Sequence, residues 1–404
     1  MVTGHDVRAS TRAQNALPSP MRKLTPFAER AVAQGTHIYH LNIGQPDLPL
    51  PTAILEGIRR YQSNLLPYAP SQGIAETIDA WRTYYRNLGV ELERNELLVT
   101  CGGSEAIVFA MMAVCDPGDE VVVFEPTYAN YFGFACMAAV TVRAVTARPE
   151  DGYHLPSRAE IEAAITPRTR ALLFTTPGNP TGTVYSYDEL HILSDIALEH
   201  GLFLIADETY REIVFEGPRD MSMLKVEATA DRTIVVDSVS KRFSATGARI
   251  GCVASHHPEA MSGILRFAQA RLAVSTVEQR AVIPLLEQSR PYTDELAEIY
   301  RGRRDAVYGA LQRVPGVVAR RPEGAFYIQA VLPIDDCDDF ARWLLTDFRL
   351  NGETVMVAPG SGFYLTEGMG KQEVRLAFVL EERALERAMS ILVEALRVYP
   401  GAMR

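Results

Sequence analysis

The sequence predicts an α/β protein built on a mostly parallel sheet of seven strands. Short apolar runs alternate with amphipathic helical stretches between residues 97 and 254. Near-continuous apolar runs are typical of strands that helices cover on both faces. After about residue 290 the pattern changes to a long charged helix followed by mixed strands and helices, which is typical of a smaller α+β unit.

The predicted elements follow one another in a regular order. Two helices, Thr52–Leu65 and Ile74–Leu88, precede the alternating region. The seven strands are predicted at Leu97–Thr100, Glu120–Phe124, Val140–Val145, Ala171–Thr175, Leu202–Ala206, Thr233–Asp237 and Ile250–Ala254. Helices are predicted between them at Ser104–Val114, after Tyr128, at Arg158–Ala164 and at Tyr187–His200. Periodicity then indicates a helix over Tyr292–Arg313 and extended segments at Gly324–Val331, Thr354–Ala358 and Glu373–Phe378.

These patterns predict a division of the chain into three parts. Residues 1–49 form an N-terminal arm and part of a small domain, and the first 20 of them show no period and are expected to be flexible. Residues 50–295 form the large domain. Residues 296–404 form the rest of the small domain.

Composition excludes several classes of protein. The chain has 404 residues, of which 47% are hydrophobic, and a net charge of -10, so nucleic acid is not an expected partner. No uninterrupted apolar stretch is long enough to cross a membrane. The five cysteines are scattered and odd in number, which predicts reduced thiols in a cytoplasmic protein and neither a disulfide framework nor a metal site.

Two glycine-rich turns each follow a predicted strand. Thr100–Ala106 joins a strand to a helix, where free backbone amides and the Ser104 hydroxyl favour an anion, although a simple helix cap would explain the same residues. Pro177–Gly182 places Asn179 between rigid flanks, which hold a polar side chain in a defined position.

Two further polar clusters end predicted strands. Asp207 closes an apolar strand, where a carboxylate is costly unless a cation or hydrogen-bond donors compensate it, although it could also cap a helix. Lys241 lies in a hydroxyl-rich loop with Ser238 and Ser240, and Arg249 follows eight residues later. Serines and an arginine are good phosphate ligands, and a lysine beside them is a candidate for a Schiff base.

Taken together, PGNPTG, ADETY and SVSK with an arginine eight residues after the lysine resemble the class I/II aminotransferases of pyridoxal 5'-phosphate (PLP) fold type I. The resemblance extends from Asn42 to about Pro400 through GQPD, YAPSQG, GGSEA, EPTYANY, QARL, EGAFY, TVMVAPG and EVRLAFVL. It is closest to bacterial aspartate-aminotransferase-like enzymes. It implies a large domain with a mostly parallel seven-stranded sheet, a smaller α+β domain, and PLP as the cofactor.

The resemblance also implies a role for each matching residue. The catalytic residues are Lys241, which holds the cofactor as a Schiff base, Asp207, which pairs with the pyridine nitrogen, and Tyr210, which donates to the phenolic oxygen. The other cofactor-binding residues are Gly103, Ser104, Tyr128, Asn179, Ser238, Ser240, Arg249 and, from a neighbouring subunit, Tyr68. The substrate α-carboxylate is expected at Arg375, Asn179 and the Gly44 backbone. A homodimer with shared active sites follows from Tyr68.

Substrate choice depends on a second cation for a distal carboxylate. The resemblance points to Arg271 for this role, because the family often places substrate-contacting residues in the region after the lysine, and Arg242, Arg22 and Lys23 are the rivals. The favoured function is ping-pong transfer of the amino group of an L-amino acid, aspartate first, to a 2-oxo acid such as 2-oxoglutarate. Aromatic or broad-specificity transamination, or a specialised lyase or cyclase on the same fold, is the alternative.

Other readings of the resemblance are less well supported by the residues. A transcription regulator with an aminotransferase-like sensor would need a DNA-binding module before residue 42, and the acidic charge disfavours it. An inactive scaffold is disfavoured because the lysine, aspartate, tyrosine and two arginines are all present. Tyr131, Ser71, Ser244, Tyr327 and Tyr364 lie near the motifs and are expected to be structural.

Overall fold

The computed structural model describes residues 7–16 and 19–403. Thirteen strands lie in that part of the chain: β1 His37–His40, β2 Leu97–Thr100, β3 Glu120–Glu125, β4 Thr141–Thr146, β5 Thr169–Thr175, β6 Phe203–Asp207, β7 Thr233–Ser238, β8 Gly251–Ala254, β9 Val318–Ala319, β10 Tyr327–Val331, β11 Glu353–Met356, β12 Ala358–Pro359 and β13 Glu373–Ala377. The helices are α1 Thr11–Asn15, α2 Thr25–Ala33, α3 Thr52–Arg59, α4 Ala75–Asn87, α5 Gly102–Val114, α6 Asn130–Ala138, α7 Arg158–Ala163, α8 Tyr187–His200, α9 Val239–Arg242, α10 Pro258–Arg271, α11 Thr276–Glu287, α12 Arg290–Leu311, α13 Cys337–Thr346 and α14 Glu382–Val398.

The central sheet confirms the predicted fold class. Its seven strands lie in the order β2-β8-β7-β6-β5-β3-β4. All neighbouring pairs are parallel except the two that β8 makes with β7 and β2. Six strands therefore run in one direction, and their carboxyl ends meet at one edge of the sheet, where α/β proteins bind ligands.

Two smaller sheets are built from the ends of the chain. β12, β13, β10 and β9 form an antiparallel sheet, and β1 pairs in parallel with β11. One apolar core joins these strands to α12, α13 and α14 and includes Leu24, Ile38 and Leu41 from the N-terminal segment. Two other cores lie on opposite faces of the seven-stranded sheet. The domain boundaries at residues 49 and 295 stay a prediction.

Some elements differ from the sequence-based expectation. The arm contains the short helix α1, in which the Ser10 hydroxyl accepts a hydrogen bond from the Ala13 amide, while residues 1–6 and 17–18 lie outside the described part. The predicted helix over Thr52–Leu65 ends at Arg59, although its apolar repeat continues to Leu65. Ser63 forms a local turn there instead, in which its hydroxyl accepts a hydrogen bond from the Leu65 amide. Among the described residues, no helix is long and apolar enough to cross a membrane.

Candidate active site

A cavity of about 950 Å³ opens at the carboxyl edge of the seven-stranded sheet. Its walls come from the turns after β2, β3, β5, β6 and β7, from the N-terminal segment, and from β10 and β13. It brings together twelve of the fourteen predicted site residues: Gly44, Gly103, Ser104, Tyr128, Asn179, Asp207, Tyr210, Ser238, Ser240, Lys241, Arg249 and Arg375.

Lys241 presents its amine to this cavity from the short helix α9, where the sequence predicted a loop. Nζ donates a hydrogen bond of 2.9 Å to the carbonyl oxygen of Gly44. Burial, together with the charges of Arg375 and Arg249, lowers the pKa of Lys241 to about 8. A larger fraction of this amine is therefore neutral near pH 7 than of an exposed lysine, and a neutral amine is the form that attacks carbonyl carbon.

Asp207 is a buried carboxylate at the end of β6. Oδ1 accepts a hydrogen bond from the Thr209 amide at 3.1 Å, and Oδ2 accepts one from the Tyr131 hydroxyl at 2.8 Å. Burial raises the pKa of Asp207, and these two hydrogen bonds oppose the rise. In the described part of the chain no cationic side chain lies within ion-pair distance of Asp207, so the site can accommodate a positive group of a ligand.

Tyr210 and Tyr327 form a hydroxyl pair on the wall of the cavity. Their hydroxyl oxygens lie 2.9 Å apart and both side chains are buried. A Cβ atom at Gly44 would overlap the Tyr327 hydroxyl, so only glycine fits there. The pair therefore lies directly beside the Gly44 carbonyl that accepts from Lys241.

Arg375 lies in β13, buried between the rings of Tyr327 and Phe363 at 4.5 and 4.9 Å from its Cζ. One terminal nitrogen donates to Asn179 Oδ1 at 3.0 Å, the other donates to the Asn42 carbonyl, and Nε has no partner among the described residues. Burial lowers the pKa of Arg375. A buried guanidinium held in one plane, without a carboxylate of its own, can bind a carboxylate of a ligand.

An anion cradle lies at the start of α5. The Glu105 carboxylate accepts a hydrogen bond from the Cys101 amide, and Gly103 and Ser104, in the first turn of the helix, line the cavity. A side chain at Gly102 would collide with the Arg249 guanidinium, which shows how closely the arginine approaches the helix start. Ser238 and Ser240 bond each other at 2.9 Å and line the same region. Helix amides, hydroxyls and a guanidinium together suit a phosphate group.

A buried ion network lies behind these side chains. Arg211 pairs with Glu208 and Asp237, Arg242 pairs with Asp237, and Tyr84 donates to Glu212. Glu208, Arg211, Asp237 and Arg242 are the sequence neighbours of Asp207, Tyr210, Ser238 and Lys241 respectively. Each of these four cavity residues thus has a sequence neighbour that is anchored in the network. This anchoring restrains the segments after β6 and β7.

Two predicted residues do not line the cavity of this chain. Tyr68 is 83% exposed. Arg271 lies 3.3 Å from the Glu105 carboxylate and donates to the carbonyls of Ser71 and Val99. Arg271 is thus engaged by other residues of this chain, and its role in substrate binding stays a prediction.

Sequence reasoning missed two tyrosines of the site. Tyr131, expected to be structural, donates to Asp207, and Tyr327, also expected to be structural, contacts both Tyr210 and Arg375. Tyr131 lies three residues after Tyr128, at the start of α6, and its closeness to a predicted site residue could have indicated it. Tyr327 carried no such signal, because it lies 117 residues after Tyr210 and meets it only in the folded protein.

The described residues also contain one cluster with metal-ligand chemistry, Asp336, Cys337 and Asp338. Asp336 accepts from the amides of Asp338 and Asp339 as the N-cap of α13, and Asp338 pairs with Lys23. These contacts explain the cluster as a helix start, and it lies outside the cavity.

Comparisons with known proteins agree with this geometry. Residues 36–392 match the family Aminotransferase class I and II. The aspartate/prephenate aminotransferase of Thermus thermophilus is 33% identical over 388 residues, which cover 94% of this chain and 96% of the relative. The structure of the Thermus thermophilus aspartate aminotransferase with maleate has a TM-score of 0.88 at 31% identity, covering 97% of this chain and all of that one. The alanine aminotransferase of Pyrococcus furiosus has a TM-score of 0.87 at 29% identity, with 96% and 99% covered.

Fold, site and comparisons define a transferase of amino groups built on fold type I. The chain belongs to the class I and II aminotransferases, as the sequence predicted. Members of this family depend on PLP.

Proposed function

We propose that this chain binds PLP through Lys241 and transfers the amino group of an L-amino acid, with aspartate favoured, to a 2-oxo acid such as 2-oxoglutarate. The observation that carries the proposal is one cavity that contains both a buried lysine with a lowered pKa and a buried carboxylate without a cationic partner among the described residues. The carboxylate of Asp207 would pair with the protonated pyridine nitrogen of PLP, and the amine of Lys241 would form a Schiff base with its aldehyde.

The remaining residues of the cavity fit the other groups of the cofactor. Gly103, Ser104, Ser238, Ser240 and Arg249 would hold the phosphate. Tyr210 and Asn179 would donate to the phenolic oxygen, and Tyr128 would stack on the ring. The Tyr128 ring stands edge-on to Tyr131 at a centroid distance of 5.4 Å, so it is supported by the tyrosine that bonds Asp207.

The residues of the chain would then act on the substrate in a defined order. Arg375 binds the α-carboxylate and thereby fixes which bond at Cα is broken. PLP, when bound, supplies an electron sink for the negative charge that develops at Cα. Lys241 Nζ takes the proton from Cα as the general base, since its lowered pKa lies near the working pH.

Two observations support aspartate as the favoured donor. Close relatives carry aspartate/prephenate aminotransferase as their name, and a similar structure was solved with maleate, a dicarboxylate. A second candidate, transamination of aromatic or many amino acids, is favoured by the apolar side chains on the cavity wall. These are Met21, Val32, Ile43, Ile107 and Met356.

A homodimer with shared sites is part of the proposal. Leu65 and Leu66 are 75% and 65% exposed beside the similarly exposed Tyr68. Exposed apolar side chains grouped in this way favour contact with another protein surface. A second copy of the chain would cover them and bring its Tyr68 to the phosphate site. Replacing both leucines by glutamate is expected to give monomers in analytical ultracentrifugation, and an unchanged dimer would contradict this surface.

A half-reaction screen tests the function. The PLP-loaded protein is mixed with single amino acids, and conversion to the pyridoxamine form is followed by absorbance. Aspartate is expected to react fastest, and Lys241→Ala is expected to abolish the reaction while the protein still binds PLP. Normal turnover in Lys241→Ala would overturn the assignment. Release of pyruvate or ammonia without conversion would indicate a lyase instead.

A further inference from the structure

One cationic side chain on the cavity wall has no partner among the described residues and no role in the proposed chemistry. Four lysine or arginine side chains of the described residues line the cavity: Arg22, Lys241, Arg249 and Arg375. Lys241 is the reactive amine, Arg249 belongs to the anion cradle and Arg375 suits the α-carboxylate. Arg22 is left, and no described side chain forms a hydrogen bond or ion pair with its guanidinium.

The other candidate cations are engaged elsewhere. Arg271 is held by Glu105 and two backbone carbonyls. Arg242 is fully buried in its ion pair with Asp237. Lys23 pairs with Asp338. None of these three lines the cavity of this chain, so none of them is placed to bind the side chain of a substrate in it.

The segment that carries Arg22 is anchored beside Arg375. Pro20 packs so closely on Gly362 that a Cβ there would collide with its ring. Met21 packs against the cluster that contains Phe363. The Phe363 ring lies 4.9 Å from the Arg375 guanidinium carbon. The Phe363 side chain therefore lies between Arg375 and Met21, the residue before Arg22.

The neighbours of Arg22 hold its backbone in place and leave its side chain free to move. The Lys23–Asp338 pair is continued by a hydrogen bond of 2.7 Å from Ser361 to the same carboxylate, which ties the segment to the strand end that precedes Phe363. The Arg22 amide bonds the Ser19 carbonyl at 3.0 Å and closes the turn. Glu29 also lines the cavity, but no ion pair joins it to Arg22. The guanidinium group is therefore available to pair with an anionic group of a ligand.

We propose that Arg22 binds the distal carboxylate of dicarboxylic substrates and so determines the preference for them over neutral amino acids. The inference rests on the proposed aminotransferase function. Arg22 and Arg375 line the same cavity, so a substrate whose α-carboxylate is bound at Arg375 can extend its side chain toward Arg22. A flexible arginine at the mouth can meet a carboxylate there and can turn to solvent when a neutral side chain occupies the cavity.

Single-turnover kinetics of Arg22→Gln test the preference. The efficiency of the half-reaction with aspartate is expected to fall about tenfold to a hundredfold, which corresponds to the loss of one charge-assisted hydrogen bond. The efficiency with alanine is expected to stay unchanged. Arg22→Lys should restore part of the reaction with aspartate. The matched control is Arg30→Gln, which removes an exposed positive charge from α2 away from the cavity wall and should leave the aspartate/alanine ratio as it is.

A binding measurement provides a readout that does not require catalysis. Succinate and butyrate are titrated into the PLP-loaded protein by calorimetry. Arg22→Gln is expected to weaken succinate by a similar factor and to leave butyrate unchanged. Equal effects on both acids, or an unchanged aspartate/alanine ratio, would overturn the role of Arg22. A wild-type protein that reacts with no amino acid would instead overturn the proposed function, while the succinate titration would still test Arg22.

Discussion

The Tyr131 hydroxyl donates a hydrogen bond of 2.8 Å to Asp207 Oδ2, and both side chains are buried. This bond opposes the effect of burial, which raises the pKa of Asp207. It thereby helps to keep the carboxylate charged, and a charged carboxylate is the form that can neutralise a protonated pyridine nitrogen.

Tyr131→Phe tests that relationship. Without the donor, the pKa of Asp207 rises further and the carboxylate pairs less well with a cation. We expect the affinity of the apo-protein for PLP to fall about tenfold, measured by fluorescence titration. The matched control is Tyr153→Phe, because Tyr153 donates to the buried Glu373 outside the main cavity. Equal PLP affinity in Tyr131→Phe and the wild type would contradict the prediction.

The lowered pKa of Lys241 predicts how cofactor binding depends on pH. The neutral amine attacks the aldehyde, so the rate at which PLP bonds to the apo-protein should rise as the pH rises through about 8 and level off above it. Stopped-flow absorbance over a pH series measures this rate. Arg375→Met should move the midpoint upward, since the charge of Arg375 lowers the pKa of Lys241. A midpoint near the ordinary lysine value of 10.5 in the wild type would refute the argument.

The buried ion network predicts a large difference between two identical substitutions. Arg242→Met removes one partner of the buried pair with Asp237 and should lower the free energy of unfolding by about 3–5 kcal/mol. Arg86→Met removes an exposed pair with Glu91 and should cost less than about 1 kcal/mol. Urea denaturation of the two variants measures both values. Similar costs would show that the network does not stabilise the loops after β6 and β7.

Glycine positions provide a fourth test. At Gly44 a methyl group would overlap the Tyr327 hydroxyl and displace the tyrosine pair, so Gly44→Ala should slow the half-reaction about a hundredfold. Gly302 lies within α12 with no atom near a Cβ. Gly302→Ala should therefore stabilise the protein by about 0.5–1 kcal/mol and leave the rate unchanged. A fully active Gly44→Ala variant would show that the tyrosine pair adapts without consequence.

Local patterns predicted much of the large sheet. The bounds of β2 and α8 agree with the predicted Leu97–Thr100 and Tyr187–His200, and the other strands of the sheet agree to within a few residues. Each is an apolar run or an amphipathic repeat bounded by turn residues, so the information lies within the segment itself. The reversed direction of β8 could not be predicted in this way, because it depends on which strands are neighbours in the sheet.

The same distinction holds for the site. By itself the sequence determined the motif residues that face the cavity, such as Asp207 and Lys241, because each lies at the end of a strand or within a few residues after it. Only the tertiary structure decided that Tyr131 and Tyr327 join them, that Arg271 is engaged within the chain, and that Arg22 alone of the four candidate cations lines the cavity. Those outcomes depend on contacts between segments far apart in the chain, such as those that bring β10 and β13 to the same cavity as the ends of β6 and β7, and no local pattern within either segment specifies them.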